Sequence, residues 1–337
     1  TTQGDYFYVG RLEVTFDAAG NVTGTAGGPV RVANASFADG VTPDAAIAAA
    51  VQVPVAAYSA ALGAQVIGTS DVALDGVRTN VRTRETNEGN LVADAMLWQA
   101  RQFLGGYGVS HVDVAIQNGG GIRNNAVIPA GNLTLLDTFN ILPFANFLCV
   151  VENLSRENLK EILENCVSRV EFVDGRFGQV AGMRFLYDPS GTAQVLDAAG
   201  NVTVPGTRVR EIVLMDEPQT VICEFGAVVP GPAVNMAIVD FSARGGDQYP
   251  FHGAPLKIMG VTYQQALANY IVQGLGGFVS AAAYPLAGEG RIITGGTVGI
   301  EDRDDDATTP DGDVTPTAMK LASKRPSRSS VSRSSIR

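Results

Sequence analysis

Histidine and cysteine are almost missing from this 337-residue chain, with two of the first and three of the second. No pair of cysteines has CxxC spacing, which excludes the usual zinc or redox cluster. Cys149, Cys166 and Cys223 sit in apolar surroundings (FLCVV, ENCVS, VICEF) and read as buried small hydrophobes. Positive charge is also short: 24 Lys and Arg against 34 Asp and Glu give −10. Residues 301–337 carry seven of each sign, so the whole net charge belongs to 1–300. An acidic globule repels a phosphate backbone, which argues against a nucleic-acid partner. Any phosphate it binds must be held by local arginines. Long apolar runs are missing too. The longest unbroken one, residues 45–51, falls far short of the ~20 residues of a membrane span, so none is expected. Neither a signal peptide at the start nor an apolar anchor signal at the end is expected within the chain. Hydrophobic residues make up 45%, enough to bury a real core, and the length suggests about two domains.

The chain opens with a strand at 6–16 (YFYVGRLEVTF), turned back by DAAGN at 17–21 into a second at 22–32. The Ala-rich segment 42–62 reads as a helix with Thr42 as cap and Pro43 at its first position; Pro54 should kink or split it. A short strand is expected over 66–74, a helix over 90–103 and a strand over 112–117. Thr134 and Asp137 are spaced as a capping box before a helix around 134–142. Ser155 caps the clearest helix, 155–170, with Leu159, Ile162, Leu163, Cys166, Val167 and Val170 as its apolar stripe. Strands dominate 179–240, where DAAGN recurs at 197–201, and 264–273 returns to helix. The tail 296–337 is acidic, then Ser/Arg/Lys-rich, and is expected to be disordered. Its DRDDDATTPDGD run lacks the spacing and closing Glu of an EF-hand loop.

Three clusters carry chemistry. Arg78, Arg82 and Arg84 at alternating positions share one face if the segment is extended, a set of planar donors suited to phosphate or carboxylate; a solvated charged edge strand is the plainer reading. Gln117-Asn-Gly-Gly-Gly-Ile-Arg123 places Asn118, three glycines and Arg123 after a strand, where backbone N–H groups can approach a ligand. It is neither a Walker A loop nor a dinucleotide fingerprint. The third cluster is split between Leu142-Pro-Phe-Ala-Asn146 and Phe241-Ser-Ala-Arg-Gly-Gly-Asp247. Two loop phenylalanines can clamp a flat ring, and Asp247 can accept from sugar hydroxyls; core packing is the alternative.

The motifs RTRETNEGNLVADAM, VAIQNGGGIR, LPFAN, QVAGMRFLYD and FSARGGDQY, in that order over about 75–294, resemble the C-terminal domain of the 5′-nucleotidase family, which includes UDP-sugar hydrolases. The resemblance implies an α+β fold, a mixed sheet flanked by helices. It divides the chain into the end of a metallophosphatase domain (1–41), a linker helix region (42–74), a substrate-binding domain (75–295) and the tail (296–337). Arg78, Arg82 and Arg123 match the arginines that hold phosphate. Asn118 matches the asparagine that contacts the base, and Asn146 fits the PFxN position. Phe144 and Phe241 match the pair that sandwiches the base, and Asp247 the carboxylate on the ribose. Gly182 sits where the family's backbone lines the base pocket. Arg244 departs from the family's small or amide residue and could alter which nucleotides fit.

The same resemblance implies two divalent metals in an N-terminal domain, held by GNHE and GHxH motifs that do not occur here. The chain is thus expected to bind a nucleotide or nucleoside and not to hydrolyse it alone, with the catalytic domain acting in cis. Alternatives are a non-catalytic nucleotide-binding module, or a same-scaffold hydrolase of UDP-sugars or cyclic nucleotides. Five N-x-S/T sequons, at Asn21, Asn34, Asn132, Asn153 and Asn201, together with the resemblance, point to an extracellular or periplasmic protein.

Overall fold

The computed structural model describes residues 7–295. The expected disorder of the tail, and its unlike-EF-hand acidic run, lie outside the described residues. What is described is α+β, as expected.

A five-stranded mixed sheet forms the centre, in the order Leu256–Thr262, Phe147–Leu154, Val234–Val239, Val114–Asn118, Gly178–Ala181. Val234–Val239 and Val114–Asn118 run parallel; the other neighbours pair antiparallel. All residues of these two inner strands are buried, as expected where a sheet is covered on both faces. The strand pleat divides them between two cores. Ala115, Ala237 and Val239 face a layer built by the helices Asn87–Gln102 and Tyr263–Asn269. Val114, Ile116, Met236 and Ile238 face the helix Arg156–Val167. That helix also covers a second sheet, ordered Ala227–Val228, Val221–Glu224, Val209–Leu214, Met183–Tyr187, Ile292–Thr294. Cys149, Cys166 and Cys223 are buried free thiols in the second core.

Local signals set most helix ends. Thr134 and Asp137 form the reciprocal capping box, and Ser155 accepts the Asn158 N–H at 3.1 Å. The two DAAGN turns fold alike. Asp17 accepts from the N–H groups of Ala19 and Asn21 and from the Asn21 amide, and Asp197 repeats all three contacts with Ala199 and Asn201.

Three local expectations are corrected. The helix after the hairpin is capped by Asp44, which accepts from Ala46 and Ile47 N–H, and not by Thr42. Pro54 does not split it: the chain stays helical from Ala45 to Ala64, with a π turn over Ala48–Gln52 just before the proline. The resulting helix Ala45–Ala64 is long and apolar enough to cross a membrane by length and composition, and none of its residues is buried. Counting only unbroken runs missed it, since Gln52, Pro54, Tyr58 and Ser59 interrupt the stretch. Finally, residues 78–84 are not extended. Arg78–Val81 is one helical turn, so Arg78 and Arg82 sit four apart on a helical face and Arg84 leaves in another direction.

Candidate functional site

Both parallel strands of the central sheet end at the same edge. Val114–Asn118 runs into the glycine turn Gly119–Gly121, and Val239 into the helical turn Asp240–Ala243. Their antiparallel neighbours begin there, preceded by Phe144 and Asn146 on one side and Gly175 on the other. Four chain segments therefore converge at the carboxyl ends of two parallel strands, where open sheets commonly hold ligands. A cavity of about 380 Å³ opens at this point, lined by the three glycine-loop neighbours and by the arginines and phenylalanines taken up below.

Of the nine expected site residues, eight line it: Arg78, Arg82, Asn118, Arg123, Phe144, Asn146, Phe241 and Asp247. Gly182 does not. It sits at φ +73° between two strands, pressed on the Asp113 carbonyl and Leu97, where no larger residue fits. Beside Gly120 and Gly121 of the glycine loop, Gly175 lines the cavity, a glycine with no assigned role. A Cβ on it would stand 3.0 Å from the Cα of Gly120 and 3.4 Å from Asp247, so its bareness lets three segments meet. Nothing is read from the sequence at this position, in the tripeptide Asp174-Gly-Arg176. Arg84 is also elsewhere, paired with Asp75 at 3.3 Å. Arg244 lines a neighbouring cavity that also holds His252, itself bound to Glu161 at 2.9 Å.

The cationic part is under tension. Arg82 is only 6% exposed; among the described residues its Nε has no partner and its one side-chain hydrogen bond is a 3.4 Å contact to the Val173 carbonyl. Burial first, then repulsion from Arg78 and Arg123, pulls its pKa down from the usual arginine value. Among the described residues none of the three arginines has a carboxylate within ion-pair distance. Such a set is completed by an external anion. Gln179, buried in the neighbouring strand, holds it in place: its amide donates to the carbonyls of Val81 and Arg84 (3.0 and 2.7 Å) and accepts from Thr86 N–H. This residue lay within the quoted QVAG motif without a role assigned to it.

The polar part is oriented in advance. Asn118 donates to Asp247 Oδ2 at 2.7 Å and accepts from Gln117 at 2.9 Å, while Asp247 is held at φ +52°. Asn165 takes the Asp247 carbonyl at 3.2 Å. Tyr263 ties two loops together, accepting from Phe144 N–H (3.1 Å) and donating to the Gly121 carbonyl (3.3 Å). Burial pushes its phenol up to about 12.

Phe144 and Phe241 are each 45% exposed, so the core-packing alternative does not describe them. Neither stacks on another aromatic ring among the described residues; Phe144 has the Arg123 guanidinium 5.5 Å from its centre. Two exposed rings, a poised carboxylate and an unpaired arginine set in one cavity suit a flat, hydroxylated anion.

A metal centre is a different matter. Among the described residues no three His, Cys, Asp or Glu side chains are placed to hold an ion. His111 lies beside Asp113 and His252 beside Glu161, each a surface pair. The residues here do not fit a dimetal site.

This architecture is that of an α+β domain with a ligand-sized cavity at the carboxyl ends of two parallel strands. Residues 66–283, more than half the chain, match the family model of the 5′-nucleotidase C-terminal domain, and the chain belongs to that family. It is similar to the trifunctional nucleotide phosphoesterase YfkN of Bacillus subtilis, 37% identical over 183 residues, covering 54% of this chain and 11% of that protein. With the 5′-nucleotidase of Bos taurus it shares 35% over 192 residues, 54% of this chain and 31% of the relative. The solved 5′-nucleotidase precursor from Thermus thermophilus superposes with a TM-score of 0.58 at 31% identity, over 86% of this chain and 50% of that one. The chain therefore spans half or less of each of these three relatives.

Proposed function

We propose that this chain is the nucleotide-binding, specificity-determining part of a 5′-nucleotidase-type phosphohydrolase acting on nucleoside 5′-monophosphates. The observation that carries the proposal is Arg82: a buried guanidinium with an unpartnered Nε, pressed by two like charges, in the same cavity as two half-exposed phenylalanines. Arg78, Arg82 and Arg123 grip the phosphate through charge-assisted hydrogen bonds. Phe144 and Phe241 stack on the base, the Asn146 amide meets its edge, and Asp247, steered by Asn118, accepts from the ribose hydroxyls. The bond-breaking step belongs to two divalent metals on a separate metallophosphatase domain in cis, and no residue here is assigned to it. The hairpin Tyr8–Arg31 and the helix Ala45–Ala64, exposed almost throughout, are the surfaces that domain would cover. The five sequon asparagines are all exposed, in keeping with an extracellular or periplasmic setting.

Calorimetric titration with AMP and adenosine tests the reading. Phe241→Ala should weaken both ligands alike, by about 1–3 kcal/mol for a lost stacking face. Arg123→Ala should weaken AMP and spare adenosine. Equal losses for both ligands on Arg123→Ala, or no AMP binding by the intact chain, refute it. With Mn²⁺, Zn²⁺ or Co²⁺ supplied, the chain alone should release no phosphate from AMP. Turnover that follows this chain through purification defeats the division of labour.

A further inference from the structure

Glu88 lies in the first turn of the helix Asn87–Gln102, fully buried, and only half of its carboxyl is accounted for. Oε2 accepts from Asn124 Nδ2 at 2.9 Å, whereas Oε1 has no partner among the described residues. Across from it, Asn124 Oδ1 is also buried with no donor among the described residues, while its amide N–H groups serve Glu88 and the Ala126 carbonyl at 3.3 Å. Both bare oxygens crowd the place that a side chain on Gly76 would take, so they face one gap. Two buried acceptors that face each other without a donor are one hydrogen short. A proton on Glu88 supplies it.

The position of this contact gives it a consequence. Asn124 follows Arg123 directly, Asn125 Oδ1 accepts the Arg78 backbone N–H at 3.0 Å, and Gly76 N–H donates to the Ala126 carbonyl at 3.1 Å. The segments that carry Arg78 and Arg123 are thus laced together along one seam, with Glu88 at its buried end. We propose that Glu88 is a positioning residue for the arginines of the cavity: it keeps its proton at neutral pH, donates it to Asn124 Oδ1, and so fixes the seam from which Arg78 and Arg123 reach the ligand. Its link to binding rests on the phosphate reading above.

The surroundings favour the neutral form. Burial raises the Glu88 pKa well above the ordinary carboxyl value, the Asp75 and Asp137 carboxylates add to this, and the hydrogen bond from Asn124 opposes it. Asp75 in turn is paired with Arg84. The joined segments themselves carry Arg78 and Arg123. For a carboxyl with a raised folded-state pKa, the associated stability is complete below the unfolded value of about 4.5 and is lost as pH rises toward the folded value.

The test uses the chain as it is, with Glu88→Gln, Glu88→Ala and, should the alanine variant not fold, Glu88→Met. Infrared difference spectra at neutral pH should show a protonated-carboxyl C=O band in the parent that Glu88→Gln removes. Denaturant unfolding should find Glu88→Gln more stable than the parent above about pH 4.5, by a gap that widens with pH. Amide exchange at Gly76 and Arg78 should stay slow in Glu88→Gln and quicken in Glu88→Ala or Glu88→Met. AMP affinity should change by less than about twofold in Glu88→Gln but fall about tenfold or more in the other two, with adenosine little affected. A missing band together with parallel stability curves shows an ionised Glu88 and overturns the proposal. Unchanged exchange in both disruptive variants overturns the positioning role. If the parent chain binds neither AMP nor adenosine, the nucleotide reading fails by itself, while the band and the exchange rates still judge Glu88.

Discussion

Arg82 shows how a side chain can be poor for the fold and good for a site. It is buried, repelled by two neighbours and short of a partner, all of which cost stability. Arg82→Met, similar in length and uncharged, should therefore hold or raise the melting temperature while abolishing the preference for AMP over adenosine. A marked fall in melting temperature would mean that the guanidinium supports the fold. The three cysteines present the opposite case. Burial raises Cys149 and Cys166 to about 12 and also raises Cys223, so all three should resist a thiol reagent at pH 8 and titrate fully once the chain is unfolded. Rapid labelling of the native protein would contradict their burial. Both readings were open in the sequence to different degrees. Apolar neighbours announced the cysteines, whereas nothing local to RTNVR revealed that Arg82 turns inward.

Among the elements, the capping box and the Gln179 strand differ in what they hold. Thr134→Ala removes a reciprocal cap from the seven-residue helix Leu135–Ile141 and should cost about 1 kcal/mol, measured by denaturant unfolding. Gln179→Leu strips partners from the buried Val81 carbonyl and Thr86 N–H, and from the part-buried Arg84 carbonyl. An unsatisfied buried group costs about 1–3 kcal/mol, so a larger loss is expected, together with weakened AMP binding. A stable Gln179→Leu variant with intact affinity would show that the arginine turn needs no such brace. The cap was legible because its partners are three residues apart. Gln179 was not, because its partners are nearly a hundred residues away and no spacing rule reaches them. Helix 45–64 falls between these cases: its composition was visible, yet its continuity past Pro54, with a π turn just before the proline, was not.

For the whole molecule, the packed cores begin beyond the hairpin. Among the described residues the strands of Tyr8–Arg31 pair only with each other and bury none of their own residues, so removing residues 1–41 should leave the melting temperature of the remainder unchanged within about 2 °C by calorimetry. A large drop would show that the hairpin braces the rest. The sequence by itself determined the elements and most of the site chemistry. Apolar periodicity, caps and turn residues act over a few positions, and five motifs kept the family's order along the chain. Tertiary structure alone decided which of the marked residues meet. The parallel pairing of Val114–Asn118 with Val234–Val239 brings Asn118 and Asp247, 129 residues apart, to a 2.7 Å hydrogen bond. It also admitted Gly175 in place of Gly182, because access to the cavity depends on which backbone can come within 3.0 Å of Gly120, a distance set by sheet register and by no local pattern.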